Sequence, residues 1–149
     1  MIQISEKNKN TLITIGLIIL TLIIAYLMAR FEVVKRAKRE YLEGEKFLSF
    51  YKNPDLKKQY YDEKLRKKEI GEPEYEMLME DNDLKNAYVQ YQTVIDLFTP
   101  PESKWVRLSR ERLKEITPLY NDWVNKLKAE IEAASSAPKK PPAQPQKNK

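Results

Sequence analysis

Among the 149 residues there is no cysteine, no histidine and only three glycines. Without cysteine the chain has no disulfide, no thiolate metal site and no thiol nucleophile. Without histidine it lacks the commonest general base and the commonest metal ligand. The glycines (Gly16, Gly44 and Gly71) are too scattered for a phosphate-cradling loop. No serine stands in a nucleophile elbow, and no imidazole exists to activate one. The carboxylates Glu72, Glu74, Glu76, Glu80, Asp81 and Asp83 are dense, but they lack the spacing and central glycine of a calcium loop. They read as a solvated acidic connector. The expectation is a protein that is not an enzyme, with no catalytic residue, metal ligand or cofactor.

What the chain does contain is one long apolar run. Residues 11–29 (TLITIGLIILTLIIAYLMA) carry no charge, and Arg30 ends them. As a helix, at ~1.5 Å per residue, the run reaches roughly 28 Å, about the depth of a bilayer's hydrocarbon core. It exceeds a signal-peptide core, and no small-x-small cleavage site precedes Arg30. A single spanning helix is therefore expected, after a short N-tail at 1–10. Ala25 and Ala29 have the spacing of a membrane-helix packing pair, which is common by chance in apolar helices.

The overall charge of +5 is unevenly distributed. Arg30, Lys35, Arg36, Lys38 and Arg39 stand against Glu32 alone just after the run, and Lys139, Lys140, Lys147 and Lys149 add to the tail. Residues 40–134 are then net acidic, which argues against a nucleic-acid partner. The five bases at 30–39 are candidates for contact with lipid headgroups. Their excess over Lys7 and Lys9 places the following domain in the cytoplasm of a cell membrane by the positive-inside rule. Short basic N-tails that stay inside argue the opposite, exoplasmic placement.

After Arg30 the abundance of Leu, Lys and Glu predicts an all-α domain. A juxtamembrane amphipathic helix is expected over 30–52. Val34, Ala37, Tyr41, Gly44, Leu48 and Tyr51 follow an a/d pattern there. Two readings fit: a homodimerising stalk through 34–51, or a first helix packing on its own domain. Phe47 and Phe50 widen the apolar face and favour the second. A helical domain follows over 53–134. Asn53-Pro54 opens a charged helix to about Ile70, with Leu56, Tyr60, Leu65 and Ile70 to bury and Lys57, Lys58, Arg66, Lys67 and Lys68 on a solvated face. Residues 71–83 are expected as connector, and Asp83 as cap of the next helix. Leu84, Ala87, Tyr88, Tyr91, Val94, Ile95 and Phe98 share one face of that helix. Thr99-Pro100-Pro101-Glu102 has the form of a capping box opening another helix, and Thr117-Pro118 that of a further restart. Residues 135–149, Pro- and Lys-rich without large aliphatics, read as a disordered tail.

Residues 84–116 resemble part of a tetratricopeptide array. Ala87, Tyr91 and Val94 stand as the small, aromatic and small-or-aliphatic positions of that repeat's second helix, before a proline-marked turn at Pro100. Trp105, Leu108 and Ser109 match the order that opens the next repeat. One period further on, Asn121 and Asn125 depart from the pattern, and only a faint echo lies around Leu42, Gly44 and Phe47. The resemblance implies helical hairpins that present a protein-binding surface. Tyr88, Tyr91, Trp105 and Trp123 are the aromatic candidates for such a surface, although residues at this spacing also build cores. Together these readings suggest a single-pass membrane scaffold or accessory subunit that holds a protein partner at the membrane. The alternative is a structural subunit of a membrane-embedded machine, in which the anchor makes the main contacts.

Overall fold

The computed structural model describes residues 6–136, with side chains from 10 to 135. Five helices account for nearly all of them: α1 (Glu6–Lys52), α2 (Pro54–Arg66), α3 (Glu72–Glu80), α4 (Asp83–Leu97) and α5 (Lys104–Ser136). The fold is all-α among the described residues. Helix already begins inside the expected N-tail, and the last turn of α5 takes up Ser135 and Ser136. The rest of the expected tail, from 137, lies outside the described residues.

The apolar run and the amphipathic segment are one uninterrupted helix, α1. No proline or glycine pair occurs near Arg30 to break it. At ~1.5 Å per residue, Ala37 lies only about 10 Å beyond Arg30 along the axis. Ala37 is fully buried, as are Ala87, Tyr91, Val94, Val106 and Ile116, with Tyr41, Leu48 and Leu84 nearly so. Ala37, Tyr41 and Leu48 of the a/d face of α1 are thus covered from within the chain. The pattern shifts at its end, where Phe50 is buried and Tyr51 is exposed. The chain turns at Asn53, and Phe50 meets Tyr60 and Tyr61 at ring distances of 5.4 and 5.8 Å.

Three helix pairings give the domain its shape. Tyr41 meets Trp105, Glu45 meets Arg112 and Lys52 meets Glu115, so α5 runs parallel to α1. Helix α4 runs antiparallel to both. Its Tyr91 lies over Tyr41 and Gly44, Asp83 pairs with Lys57 beyond the end of α1, and Tyr88 stacks on Tyr120 of α5. The α4–α5 loop therefore lies at the end of the domain nearest the apolar run of α1. Tyr120 and Trp123 lie at the far end.

Four local expectations are corrected by the structure. First, residues 72–80 are helical rather than a bare connector. Gly71 is the N-cap, Pro73 occupies the first turn, and Glu72 and Glu74 complement the helix dipole. Tyr75 docks by donating to Asp62 at 2.7 Å. Second, Asn82, not Asp83, caps α4: its Oδ1 accepts from the Lys85 amide at 2.8 Å. Asp83 is instead drawn to Lys57, which is buried rather than solvated, while Leu56 is exposed and Tyr61 takes the core place. Third, α5 begins at Lys104, because Thr99 and Pro100 each precede a proline and are kept out of the helical region. Ser103 caps it, with Oγ accepting from the Val106 amide. Fourth, α5 passes through Pro118 without restarting. Pro118 has no N–H to return to the Lys114 carbonyl, a cost of about 3 kcal/mol in an isolated helix. Buried Ile116 on one side and the Tyr120–Tyr88 stack on the other hold both halves in line.

Candidate interaction surface

The five bases expected at the membrane surface divide into two groups. Arg30 turns back on the apolar segment, donating to the Tyr26 hydroxyl at 2.8 Å, with its guanidinium 5.7 Å from the ring centre. Arg36 is paired with Glu32 and Arg39 with Glu40, so their charges are partly spent locally. Lys35 is exposed. Lys38 reaches across to α5, where its Nζ lies 5.6 Å from the centre of the Trp105 ring; Lys104 approaches the same ring at 5.4 Å.

The four aromatic candidates take different roles. Tyr91 is fully buried and faces no partner. Its hydroxyl donates to Glu45 Oε1 at 2.7 Å, and Arg112 grips the same carboxylate from Nε at 2.7 Å and Nη2 at 3.0 Å. Arg112 also binds Glu115, which accepts from Lys52. This network joins α1, α4 and α5. Burial alone would push the Glu45 carboxyl up, but hydrogen bonds from Arg112, Tyr91 and Tyr41 hold it below the usual carboxylate range. Burial, reinforced by Glu45, pushes the Tyr91 phenol far up, so it stays a donor.

Trp105 is half-buried against Tyr41, at the end of the domain nearest the apolar run. Tyr88 and Trp123 meet at the far end through Tyr120. Tyr88 and Tyr120 stack at 4.1 Å and 8°, and Trp123 is tilted 5.7 Å from Tyr120. Beside this stack a shallow groove of about 280 Å³ runs along α4, lined by Tyr88, Val89, Gln92, Thr93, Asp96, Leu97 and Tyr120. Leu97 is 70% exposed and Val89 47%. Neither residue belongs to the apolar stripe of α4. Their only signal is that they are large aliphatics where a solvated helix would carry charge.

A second polar cluster lies where α2 meets α4. Lys57, 5% exposed, donates to the Asp81 carbonyl at 2.8 Å and pairs with Asp83 Oδ2 at 2.9 Å. Burial pushes the Asp83 carboxyl up against the pull of Lys57, and its Oδ1 has no hydrogen-bond partner among the described residues. The arrangement is that of a helix clamp.

In the apolar part of α1, Leu12 to Phe31 expose nearly every large apolar side chain, and no part of that segment is buried by the domain. Helix α1 is long and apolar enough to cross a membrane. No family model, curated protein or solved structure matches this chain.

Proposed function

We propose that this chain is a single-pass membrane protein whose helical domain acts as a non-enzymatic scaffold, or accessory subunit, that holds a protein partner beside the bilayer. The continuity of α1 carries this reading. Soluble monomers rarely leave contiguous apolar surface as extensive as that between Leu12 and Phe31 uncovered. The same helix enters the core at Ala37, so the domain is a fixed projection of the anchor. The Tyr88–Tyr120 groove and the exposed Leu97 and Val89 then offer a partner an apolar surface at a set place. The basic excess at Arg30–Arg39 favours a cytoplasmic domain.

The tetratricopeptide resemblance belongs to the same proposal. Ala87, Tyr91, Val94 and Ser109 are all fully buried, as positions of close helix packing would be. Gly44 faces the Tyr91 ring, the role of a small residue in a repeat's first helix. Leaving out 53–82, which hold α2 and α3, brings Gly44 and Ser109 to within one residue of a repeat length, about 34. On this view α2 and α3 are an insertion within one hairpin.

Exchanging residues 11–29 for an unrelated spanning helix tests the proposal against the machine-subunit alternative. A scaffold keeps its partner through extraction with mild detergent, and Tyr88→Ala with Trp123→Ala releases it. A machine subunit loses the partner on anchor exchange alone. Ser136→Cys, in a chain without cysteine, reports sidedness with an impermeant thiol reagent. Labelling only after permeabilisation is expected for a cytoplasmic domain.

A further inference from the structure

At the anchor end of the domain, cations from two helices converge on one aromatic ring. Lys38 of α1 and Lys104 of α5 approach the half-buried Trp105 at 5.6 and 5.4 Å, and Arg107 follows on the first turn of α5. Of the acidic groups toward this pole, Glu32 pairs with Arg36, Glu40 with Arg39 and Glu102 with Arg110. Asp96, in the last turn of α4, accepts from Gln92 and is the one carboxylate of these without an ion pair among the described residues. Lys35, Lys38, Lys104 and Arg107 form no ion pair among the described residues, so the pole is net positive where the domain as a whole is acidic. Sequence order separates Lys38 from Lys104, and only the parallel packing of α1 and α5 unites them.

The distance to the bilayer follows from α1. With the hydrocarbon edge at the Tyr26–Arg30 pair, Lys38 lies about 12 Å further along the helix. The headgroup layer occupies roughly 5–8 Å of that. The α4–α5 loop precedes Trp105 on the anchor side, and a mean spanning tilt of about 20° toward α5 lowers the pole by a few ångströms. Lysine side chains and a Debye length of ~8 Å bridge the remainder. A tryptophan flanked by lysines also suits the polar–apolar boundary of a membrane.

We propose that this pole, formed by Trp105 with Lys38, Lys104 and Arg107, docks on an anionic lipid surface. The domain would then meet the bilayer at a second place besides its anchor, with the groove beside Tyr88 and Tyr120 held at a fixed tilt. This rests on the membrane-anchor reading of α1.

The test uses the full chain reconstituted in vesicles of phosphatidylcholine with or without phosphatidylserine, containing a headgroup spin-labelled lipid as quencher. Trp123→Phe leaves Trp105 as the sole tryptophan, and Trp105→Phe leaves Trp123, which lies at the far end, as an internal control. Circular dichroism verifies that each variant keeps its helix content. The expected result is at least twofold stronger quenching of Trp105 than of Trp123 in anionic vesicles. It should fall to the Trp123 level in pure phosphatidylcholine and on adding Lys38→Gln, Lys104→Gln and Arg107→Gln. Equal quenching of the two tryptophans, or quenching of Trp105 that ignores lipid charge, would overturn the proposal. Alkaline carbonate extraction separates the two readings. Release of the protein overturns the anchor and the docking together, whereas retention with an unquenched Trp105 overturns the docking alone.

Discussion

Tyr91 packs directly against Gly44. A β-carbon built on that glycine would stand 2.8 Å from Tyr91 Cε1 and 3.0 Å from Cδ1. The ring has nowhere to go, because it is fully buried and its hydroxyl is tied to Glu45. Two effects compete in Gly44→Ala. Helix propensity favours alanine by up to ~1 kcal/mol. Overpacking of a closed core costs about 1–3 kcal/mol. We expect the clash to win, lowering the urea midpoint of the full chain in detergent. An unchanged or raised midpoint would show that Tyr91 yields easily.

The Glu45 network should make stability pH-dependent. The Glu45 carboxyl titrates lower in the fold than in the unfolded chain, so its contribution is complete above the ordinary carboxylate pKa of about 4.3. It is lost as pH falls through that value toward the depressed folded one. Asp83, raised in the fold, works in the opposite sense and partly offsets the loss. Glu45→Gln should therefore be less stable at pH 7, yet lose less on acidification from pH 6 to 3. Tyr91→Phe removes one hydrogen bond to a charged acceptor, about 1.5–3 kcal/mol, while keeping the ring. Parallel stability–pH curves for wild type and Glu45→Gln would rule out this role.

Removing Lys57 should be among the most damaging single changes outside the core. Lys57→Met leaves the Asp83 carboxylate, its side chain 12% exposed, without its partner, a loss of about 3–5 kcal/mol by the pattern of broken buried pairs. The double variant Lys57→Met, Asp83→Asn should recover part of it, since the uncompensated charge is gone. Chemical unfolding of both variants measures the difference.

Lys68 offers a gain. It has φ 58°, and the Glu69 and Lys68 amides donate back to the Lys64 and Leu65 carbonyls, which closes α2 in a Schellman turn. A lysine in left-handed conformation costs about 1–2 kcal/mol that glycine does not. Lys68→Gly should raise thermal stability by a net ~0.5–1 kcal/mol, after allowing for the greater freedom of glycine when unfolded. A lower melting temperature would contradict this.

Much of the helix framework was legible because local rules carried it. The run at 11–29, the Asn53-Pro54 cap and the stripe Leu84–Ala87–Tyr91–Val94 each state their structure within a few residues. Elsewhere distant neighbours decide, and local pattern does not carry their effect. Thr117-Pro118 has the form of a restart, yet contacts on both sides of Pro118 keep α5 whole. Lys57 has the form of a surface residue, yet the turn into α4 brings Asp83 to it. Tyr91 has the spacing of a binding aromatic, yet it is a core residue, while Val89 and Leu97 line the groove from outside the apolar stripe.

The sequence by itself determined the long apolar run at 11–29, the all-α character and the basic collar at Arg30–Arg39, since length, propensity and charge are properties of contiguous residues. Only the tertiary structure decided which side chains meet. Gly44 with Tyr91, Glu45 with Arg112, and Lys38 with Lys104 around Trp105 are pairings over 47, 67 and 66 positions of chain. No local periodicity encodes such distances. They follow from the parallel alignment of α1 and α5 with α4 between them, which burial of their shared apolar faces selects.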